Sequence, residues 1–391
     1  MGRYGMDSML LPEGSAGRLD RRAFLARAGA GAGLLSAGGL LAACGDSGSS
    51  TTGTAAAGDA GKVGGTLDLY VWEGYDGPDF VKAWAKKNGV TLKKGYIGSQ
   101  DDVTTRIKTP AGEGTDASYV VQWYVDYYRQ LGLLSPITVE EVPALEHLFP
   151  VFDKAPYKNA DGTFNSVPHN FGWNGLAYAP ARVKADVNTW NVLFDPSLKG
   201  RIGAWDEPLG QIQLGSFING FDPDRLTHDQ LDEVKAWWMR LRPSIKAFPT
   251  STGDIFSLLS SGDVDVAFPS WNATELFARG AKAIIPEEGA VGWLDAIFIP
   301  PNADNRATAL AWCQLMLEGR VAAQIYDSVA GGATTETVVP LLDKRTRGLF
   351  PYDDLESLFS RLWQPQGFPR SEGEYVTADE AVAAWQEIKA G

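Results

Sequence analysis

The chain has 391 residues, of which 44% are hydrophobic and 11% aromatic, enough to bury a large core in two or three packing units. Its 48 Asp and Glu outnumber 35 Lys and Arg, which gives a formal net charge of −13 at pH 7. This balance excludes nucleic acid as the expected partner, because it cannot neutralise a phosphate backbone, and it permits a cationic ligand.

Residues 1–43 have the three-part layout of an export signal: a basic stretch at 18–27, a weakly apolar run at 28–43, and then a cysteine, Cys44. The apolar run is short and rich in Gly, Ala and Ser. It is therefore a poor permanent membrane span, since a span needs roughly 20 strongly apolar residues. We expect residues 1–43 to be a signal peptide that does not belong to the fold.

Two short motifs indicate how this segment is processed. Arg21 and Arg22 lie in a stretch that resembles the twin-arginine (Tat) export motif. Residues 41–44 resemble a lipobox, in which small residues precede a cysteine that receives diacylglycerol. We therefore expect lipidation at Cys44 and an exported protein, periplasmic or on the cell surface, that is anchored to the membrane as a lipoprotein.

The residues after Cys44 predict a flexible tether over 44–64, because they are mainly Gly, Ser, Thr and Ala and cannot pack a core. If Cys44 is acylated, the other cysteine, Cys313, has no partner for a disulfide. Cys313 lies in an apolar stretch that predicts a buried helix residue.

From residue 66 onward, apolar runs alternate with helical patterns. The runs predict strands at 66–72, 90–96, 117–122, 176–179, 201–205, 263–268 and 291–299. The 3.6-residue patterns predict helices at 78–88, 101–109, 125–133 and 228–241. This alternation favours an α/β fold of two lobes, each a mixed, mostly parallel sheet flanked by helices, with a ligand cleft between them. We assign 65–174 plus 297–344 to one lobe and 175–296 plus 345–391 to the other.

Residues that usually carry catalysis are sparse. The three histidines, His147, His169 and His228, are too scattered to form a recognisable metal set, and the metal, thiol and nucleophile motifs of common enzymes are missing from the sequence. We therefore expect no metal, no cofactor and no enzymatic activity.

Tryptophan is the conspicuous residue type, with thirteen in the chain, several at predicted strand ends beside acids. Trp293 and Asp295 lie two apart in a predicted strand and therefore share a face. A buried ammonium group needs a carboxylate partner, while aromatic faces add about 0.5–2 kcal/mol per cation–π contact. Indole walls with carboxylates are thus suited to a small organic cation such as a polyamine.

At these residues the chain resembles the periplasmic spermidine/putrescine-binding proteins, the type II-like solute receptors of ABC importers. The resemblance runs from residue 66 nearly to 391 and is carried by short motifs in a common order: 72–75, 124–126, 271–272, 286–295, 299–303, 363–364 and 388–391. It implies a two-lobed fold, capture of the ligand by lobe closure, docking on the transmembrane subunits of an ABC permease, and a monomeric receptor.

The resemblance also implies roles for individual residues. Trp271 and Trp293 would sandwich an alkyl chain, Asp295 would pair with one ammonium, and Gln364 would accept a hydrogen bond. Trp72, Tyr75 and Trp123 would form a wall of the site from the first lobe. Glu207, in the second half of the chain, falls on a family acid position.

Several positions depart from the family pattern. A second family acid falls on Gly210, and a family tyrosine falls on Gly332. Either Glu73 holds one ammonium end, or the ligand has only one cationic end. Glu207 has an alternative role as the cap of a helix that begins at Pro208. A quaternary ammonium, an opine-like amino compound or a sugar remains an alternative ligand, and an enzyme on this fold an alternative function.

Overall fold

A computed structural model describes residues 61–77, 79–108, 114–368 and 373–391. The predicted signal peptide, Cys44 and most of the predicted tether lie outside these residues. Gly64, at the end of that tether, is hydrogen-bonded to Thr308 and Asn305. Within the described ranges no helix is both long and apolar enough to cross a membrane.

The described residues form a mixed α/β structure. Its strands are β1 (Gly65–Val71), β2 (Val90–Tyr96), β3 (Ala117–Val121), β4 (Val167–Tyr178), β5 (Ile202–Ala204), β6 (Ile245–Ala247), β7 (Val266–Trp271), β8 (Lys282–Ile284), β9 (Ala290–Phe298), β10 (Gly332–Ala333) and β11 (Leu362–Trp363). Its helices are α1 (Lys82–Asn88), α2 (Gln100–Lys108), α3 (Gln122–Gln130), α4 (Pro208–Ile218), α5 (His228–Leu241), α6 (Thr252–Ser261), α7 (Thr274–Phe277), α8 (Arg306–Leu317), α9 (Gly319–Val329), α10 (Lys344–Arg347), α11 (Leu355–Ser360) and α12 (Ala378–Ala390). Short 3₁₀ turns occupy Pro143–His147, Trp190–Phe194, Pro196–Leu198, Arg242–Ser244 and Val339–Leu341.

The strands pair in the order β2-β1-β3-β9-β4-β7-β5-β6. β1 is parallel to β2 and β3 on one flank, and β5 is parallel to β6 and β7 on the other. β4 and β9 lie between the flanks and pair antiparallel with each other along most of their length. On the two sides of this central pair, β3 ends opposite Asp295 of β9 and β7 ends opposite Asn174 of β4.

The apolar side chains form two large clusters that correspond to the two flanks. The larger contains Leu67 and Trp312 beside β1 and α8, and the second contains Trp238 and Trp385 of α5 and α12. The predicted two-lobed α/β fold is confirmed. The lobe boundaries stay a prediction, and Phe350 packs in the larger cluster although it lies beyond residue 344.

Most predicted elements recur in the structure with shifted ends. α5 begins with a capping box in which Thr227 and Gln230 bond reciprocally, as its sequence pattern favours. Cys313 is fully buried in α8, as expected. The largest difference is β4, which begins at Val167 whereas the apolar run predicts only 176–179. Polar residues interrupt the apolar pattern of this strand, although most of them are buried in the sheet.

The edge of β9 is completed by a side chain between its two neighbours, β3 and β11. Gln122, the first residue of α3, accepts a hydrogen bond from the Leu294 amide at 2.5 Å and donates to the Gly292 carbonyl at 3.1 Å. It also donates to Oε1 of Gln364 at 2.9 Å. One glutamine thus takes the place of a strand partner at this point of the sheet.

We expect Gln122→Ala to lower the free energy of unfolding by about 2–4 kcal/mol, because it leaves a buried amide and a buried carbonyl of β9 without partners. Chemical denaturation monitored by circular dichroism would measure the change. Gln130→Ala is the matched control, since Gln130 is exposed at the other end of the same helix. Equal stabilities of the two variants would contradict this role.

Candidate ligand-binding site

The register between β4 and β9 sets out the candidate site along two adjacent strands. Asn170 of β4 lies opposite Asp295 of β9, and Gly172 lies opposite Trp293. Asn174 lies opposite both Val291 and Trp271, the last residue of β7. The predicted Trp271, Trp293 and Asp295 are thereby brought to one central pair of strands.

Asp295 is a buried acid with a tyrosine as its partner. Its side chain is only 7% exposed, and its carboxylate accepts a hydrogen bond of 2.7 Å from the Tyr75 hydroxyl. That hydroxyl in turn accepts from Nδ2 of Asn170 at 2.8 Å. Among the described residues, no Lys, Arg or His forms an ion pair with Asp295.

Burial raises the pKa of Asp295 to about 7, because the charged form loses its hydration; the Tyr75 hydrogen bond opposes this shift. Burial and the neighbouring Asp295 hold the pKa of Tyr75 well above its usual value. Burial also lowers the pKa of His169 to about 3, so this imidazole is neutral at physiological pH. The acid therefore lies in an uncharged surround.

Aromatic rings enclose the acid on its first-lobe side. The Tyr75 ring packs edge-on against Tyr119 at 5.0 Å and against His169 at 5.3 Å between ring centroids. Both rings are fully buried. Tyr75 is thus held firmly in place to present its hydroxyl to Asp295.

The indole of Trp293 lies so close to the β4 backbone that residue 172 has to be a glycine. A Cβ atom added to Gly172 would overlap with Cζ2 of Trp293 and would lie 2.6 Å from Oδ1 of Asn272. The indole of Trp293 and the Asn272 amide therefore meet above Gly172. Any larger residue there would displace one of them.

Trp271 is positioned by an aromatic stack. Its ring lies nearly parallel to those of Phe277 and Phe256, with centroids 5.8 and 6.5 Å away. The next residue, Asn272, is 2% exposed, and its Oδ1 accepts from the Trp173 amide at 3.2 Å. The end of β7 thus delivers an indole and an amide side by side.

Gln364 follows β11 and is held by Gln122, as described above. Its Nε2 lies where a Cβ atom of residue 292 would be, so Gly292 allows its approach to β9. Gln364 Oε1 accepts from Gln122 and has a second lone pair, so its predicted role as an acceptor stays a prediction; its Nε2 is buried without a partner among the described residues.

Trp72 and Trp123 occupy the carboxyl ends of the parallel strands β1 and β3, and both are partly buried. Trp123 is the second residue of α3, which follows β3 directly, so the pairing of Val121 with Asp295 does not extend to it. Glu73 lies in the exposed turn after β1. Within the described residues, its carboxylate has no contact that ties it to Asp295.

Glu207 caps a helix, as the alternative interpretation held. It is the N-cap of α4, which begins at Pro208, and its carboxylate accepts from the Gly210 amide at 2.5 Å. The residue reaches solvent, yet desolvation raises the pKa of its carboxyl. Its predicted contact with the ligand stays a prediction. Its neighbour Asp206 instead pairs with Lys389 at 2.8 Å.

Three polar residues of this region were missed as site candidates: Asn170, Asn272 and Gln122. Each interrupts an apolar run or follows a strand end, which is the signal that could have identified them. Asn272 adjoins Trp271, and Gln122 adjoins Trp123. Groups of three or more His, Cys, Asp or Glu with metal-site geometry do not occur in the described part of the chain.

The family model for bacterial extracellular solute-binding proteins matches residues 79–347. The chain belongs to this family. The solute-binding protein is 24% identical over 312 residues to the spermidine/putrescine-binding periplasmic protein of Escherichia coli, covering 76% of this chain and 86% of that protein. It is 23% identical over 349 residues to the putrescine-binding periplasmic protein SpuD of Pseudomonas aeruginosa, covering 83% and 92%.

Solved structures agree on the fold of this solute-binding protein. The substrate-binding protein PotD of a spermidine/putrescine ABC transporter from Streptococcus pneumoniae superposes with a TM-score of 0.69 at 20% identity, covering 83% of this chain and 98% of that one. A putative spermidine/putrescine ABC transporter protein from Listeria monocytogenes gives 0.67 at 23% identity, with the same coverage. The expected family and fold are confirmed.

The burial of Asp295 predicts an unusual dependence of stability on pH. The folded pKa of about 7 exceeds the unfolded value of about 3.9, so between these values folding takes up a proton. Stability of the ligand-free protein should fall as pH rises from 4 to 7, by about 4 kcal/mol for this group alone. Asp295→Asn should remove this component, measured by denaturant titrations across that pH range.

Asp265→Asn is the contrasting variant. Asp265 pairs with Arg182 and Arg201, which lower the pKa of its carboxyl against the opposing effect of burial. Its contribution is present above the unfolded pKa and is lost as pH falls, so Asp265→Asn should destabilise the protein at neutral pH. A stabilising effect of Asp295→Asn at pH 4 as large as that at pH 8 would contradict the assignment.

Proposed function

We propose that this solute-binding protein captures a small organic cation for an ABC importer, with polyamines such as putrescine and spermidine as the first candidates. The observation that carries the proposal is Asp295, a buried carboxyl that faces a tyrosine hydroxyl and no cationic side chain in the described residues. Ionising such a group is costly unless a positive charge arrives from outside. The names of the relatives in Escherichia coli and Pseudomonas aeruginosa support the same ligand class.

The proposed site consists of the aromatic and polar residues predicted from sequence. Trp271 and Trp293 cover the alkyl chain, while Asp295 and Tyr75 hold an ammonium group. Buried CH₂ groups contribute about 0.8 kcal/mol each, which makes indole faces effective partners of a methylene chain. The remaining proposed contacts are Trp72, Glu73, Trp123, Glu207 and Gln364.

Ligand capture proceeds by lobe closure in this proposal. The lobes comprise 65–174 plus 297–344 and 175–296 plus 345–391, with the segment around Phe350 joining the first because it packs in the larger cluster. Contacts from both lobes favour the closed state, which then docks on the permease. The protein acts as a monomer and has no enzymatic activity.

We further propose that export and anchoring follow the N-terminal motifs. Residues 1–43 direct Tat-like export, and Cys44 carries the lipid that holds the receptor at the membrane. Metabolic labelling with a fatty acid would detect the lipid on the wild type. The Cys44→Ala variant should remain unlabelled, and its labelling would contradict the anchor.

Asp295→Asn should weaken binding of putrescine or spermidine at least a hundredfold at pH 8, because the ammonium loses its charged partner in a buried site. Isothermal titration calorimetry measures this directly. Asp265→Asn serves as the control, since it removes a carboxylate paired with arginines elsewhere. Unchanged affinity in Asp295→Asn would remove this residue from the site, and tight binding only of a sugar would overturn the cation proposal.

The affinity of the wild type for a cation should depend on pH through Asp295. Below a pKa of about 7 the carboxyl carries a proton that must leave before the ammonium binds. We therefore expect the dissociation constant to rise roughly tenfold per pH unit below 7 and to level off above it. In Asp295→Asn this dependence should disappear. A wild-type affinity that is flat from pH 5.5 to 8.5 would contradict the mechanism.

A further inference from the structure

The candidate site contains several buried nitrogen donors without a hydrogen-bond acceptor among the described residues. They are Nε1 of Trp72, Nε1 of Trp271, Nδ2 of Asn272 and Nε2 of Gln364. A buried donor left without a partner costs about 1–3 kcal/mol. Two of them, Nε1 of Trp271 and Nδ2 of Asn272, belong to the end of β7 beside Gly172 and Trp293, and they indicate what their partner must offer.

In the side-chain amides of Asn272 and Gln364, the group without a partner is the NH₂ donor. Oδ1 of Asn272 accepts from the Trp173 amide, which leaves Nδ2 as its free atom. Oε1 of Gln364 accepts from Gln122, whose own Oε1 accepts from the Leu294 amide. An indole nitrogen can only donate.

The opposite polarity occurs beside Asp295. Nδ2 of Asn170 donates to the Tyr75 hydroxyl, which leaves Oδ1 of Asn170 as a buried acceptor without a donor in the described part of the chain. The Tyr75 hydroxyl donates to Asp295. An ammonium group, which has three donors, suits the Asp295 carboxylate together with this amide oxygen.

The two ends of this arrangement are separated by two residues of β4. Asn170 lies opposite Asp295, and the Asn272 amide lies above Gly172. Two residues along a strand span roughly 7 Å. The surface between them is covered by the indole of Trp293, which suits a short aliphatic chain.

A diamine matches only one of these ends. Its second ammonium would bring donors and a positive charge against the N–H groups of Asn272 and Trp271, which have no acceptor to give. An oxygen acceptor would satisfy them. The carboxylate of Glu207 has no contact with Asn272 or Trp271 among the described residues; it accepts from the Gly210 amide at the start of α4.

We propose that the ligand is an amino compound with one ammonium end, held by Asp295 and Asn170, and one oxygen-acceptor end, held by the donors of Asn272 and Trp271. This inference rests on the proposed function and narrows its ligand class. A carboxylate and an amide carbonyl share the required chemistry. They differ in charge, and the first test separates the two.

The first test compares ligands of matched length by calorimetry on the wild type at pH 8. The panel is putrescine, N-acetylputrescine, 4-aminobutanoate, cadaverine and 5-aminopentanoate. We expect an acceptor-ended compound to bind at least tenfold more tightly than the diamine of similar length. Tighter binding of the diamines would overturn this inference and leave the proposed function intact. Failure of every ammonium compound to bind would instead overturn the proposed function.

The second test exchanges the donor for an acceptor of the same shape. In Asn272→Asp, the oxygen that accepts from Trp173 is retained, and the NH₂ donor becomes a carboxylate oxygen. We expect the preference to invert, with acceptor-ended compounds losing about tenfold or more and diamines gaining. Equal changes for both ligand types would overturn the proposal.

A second variant and a control keep this test independent of folding defects. Trp271→Phe keeps the stack with Phe256 and Phe277 but lacks the N–H, so it should weaken acceptor-ended ligands several-fold more than diamines. Asn165→Asp changes a buried amide that bonds Pro156 and Asn159 instead, and it should leave the preference unchanged. Thermal unfolding without ligand confirms that each variant is folded. A preference that stays unaltered in both Asn272→Asp and Trp271→Phe would contradict the assignment of the acceptor end.

Discussion

The pairing of the Asp295 carboxyl with the Tyr75 hydroxyl is the interaction on which the site depends. A carboxylate buried to this extent normally has a cationic partner, yet the described residues around Asp295 are tyrosines, an asparagine and a neutral histidine. The protein tolerates this acid because its carboxyl can keep its proton at a pH near neutrality. A cation from outside changes that balance, which links ligand charge, proton release and affinity at one residue.

The central strands explain why this acid can serve both halves of the molecule. β4 and β9 lie between two flanks of parallel strands, so residues at the ends of β1, β3 and β7 converge on them. Glycines on these strands make room for neighbouring side chains. Gly172 allows Trp293 and Asn272 to meet, and Gly292 allows Gln364 to approach. At the family tyrosine position, Gly332 lies against the Phe171 ring, where a Cβ atom would come within 2.5 Å of Cε1. The preceding Gly331 leaves room for the Asn170 side chain beside Tyr75.

The distribution of hydrogen-bond donors and acceptors along the candidate site restricts the ligand more than its aromatic residues do. Near Asp295 the open hydrogen-bonding atom is the oxygen of Asn170, whereas near Trp293 the open atoms are nitrogen donors of Asn272 and Trp271. In the proposed binding mode the amides select the second end of the ligand, because an unmet buried donor costs as much as a good contact contributes.

The amino-acid sequence by itself determined the fold class, the family and the residue types of the site. Alternating strand and helix patterns required an α/β sheet, and Trp293 and Asp295 had to share a face because strand periodicity is two. Only the tertiary structure decided which groups meet. The Tyr75 hydroxyl and Asp295 are 220 residues apart, Asn170 lies in a strand whose polar residues hid it, and Glu207 turned out to cap α4. Such contacts depend on register and side-chain orientation between distant strands, which local patterns do not encode.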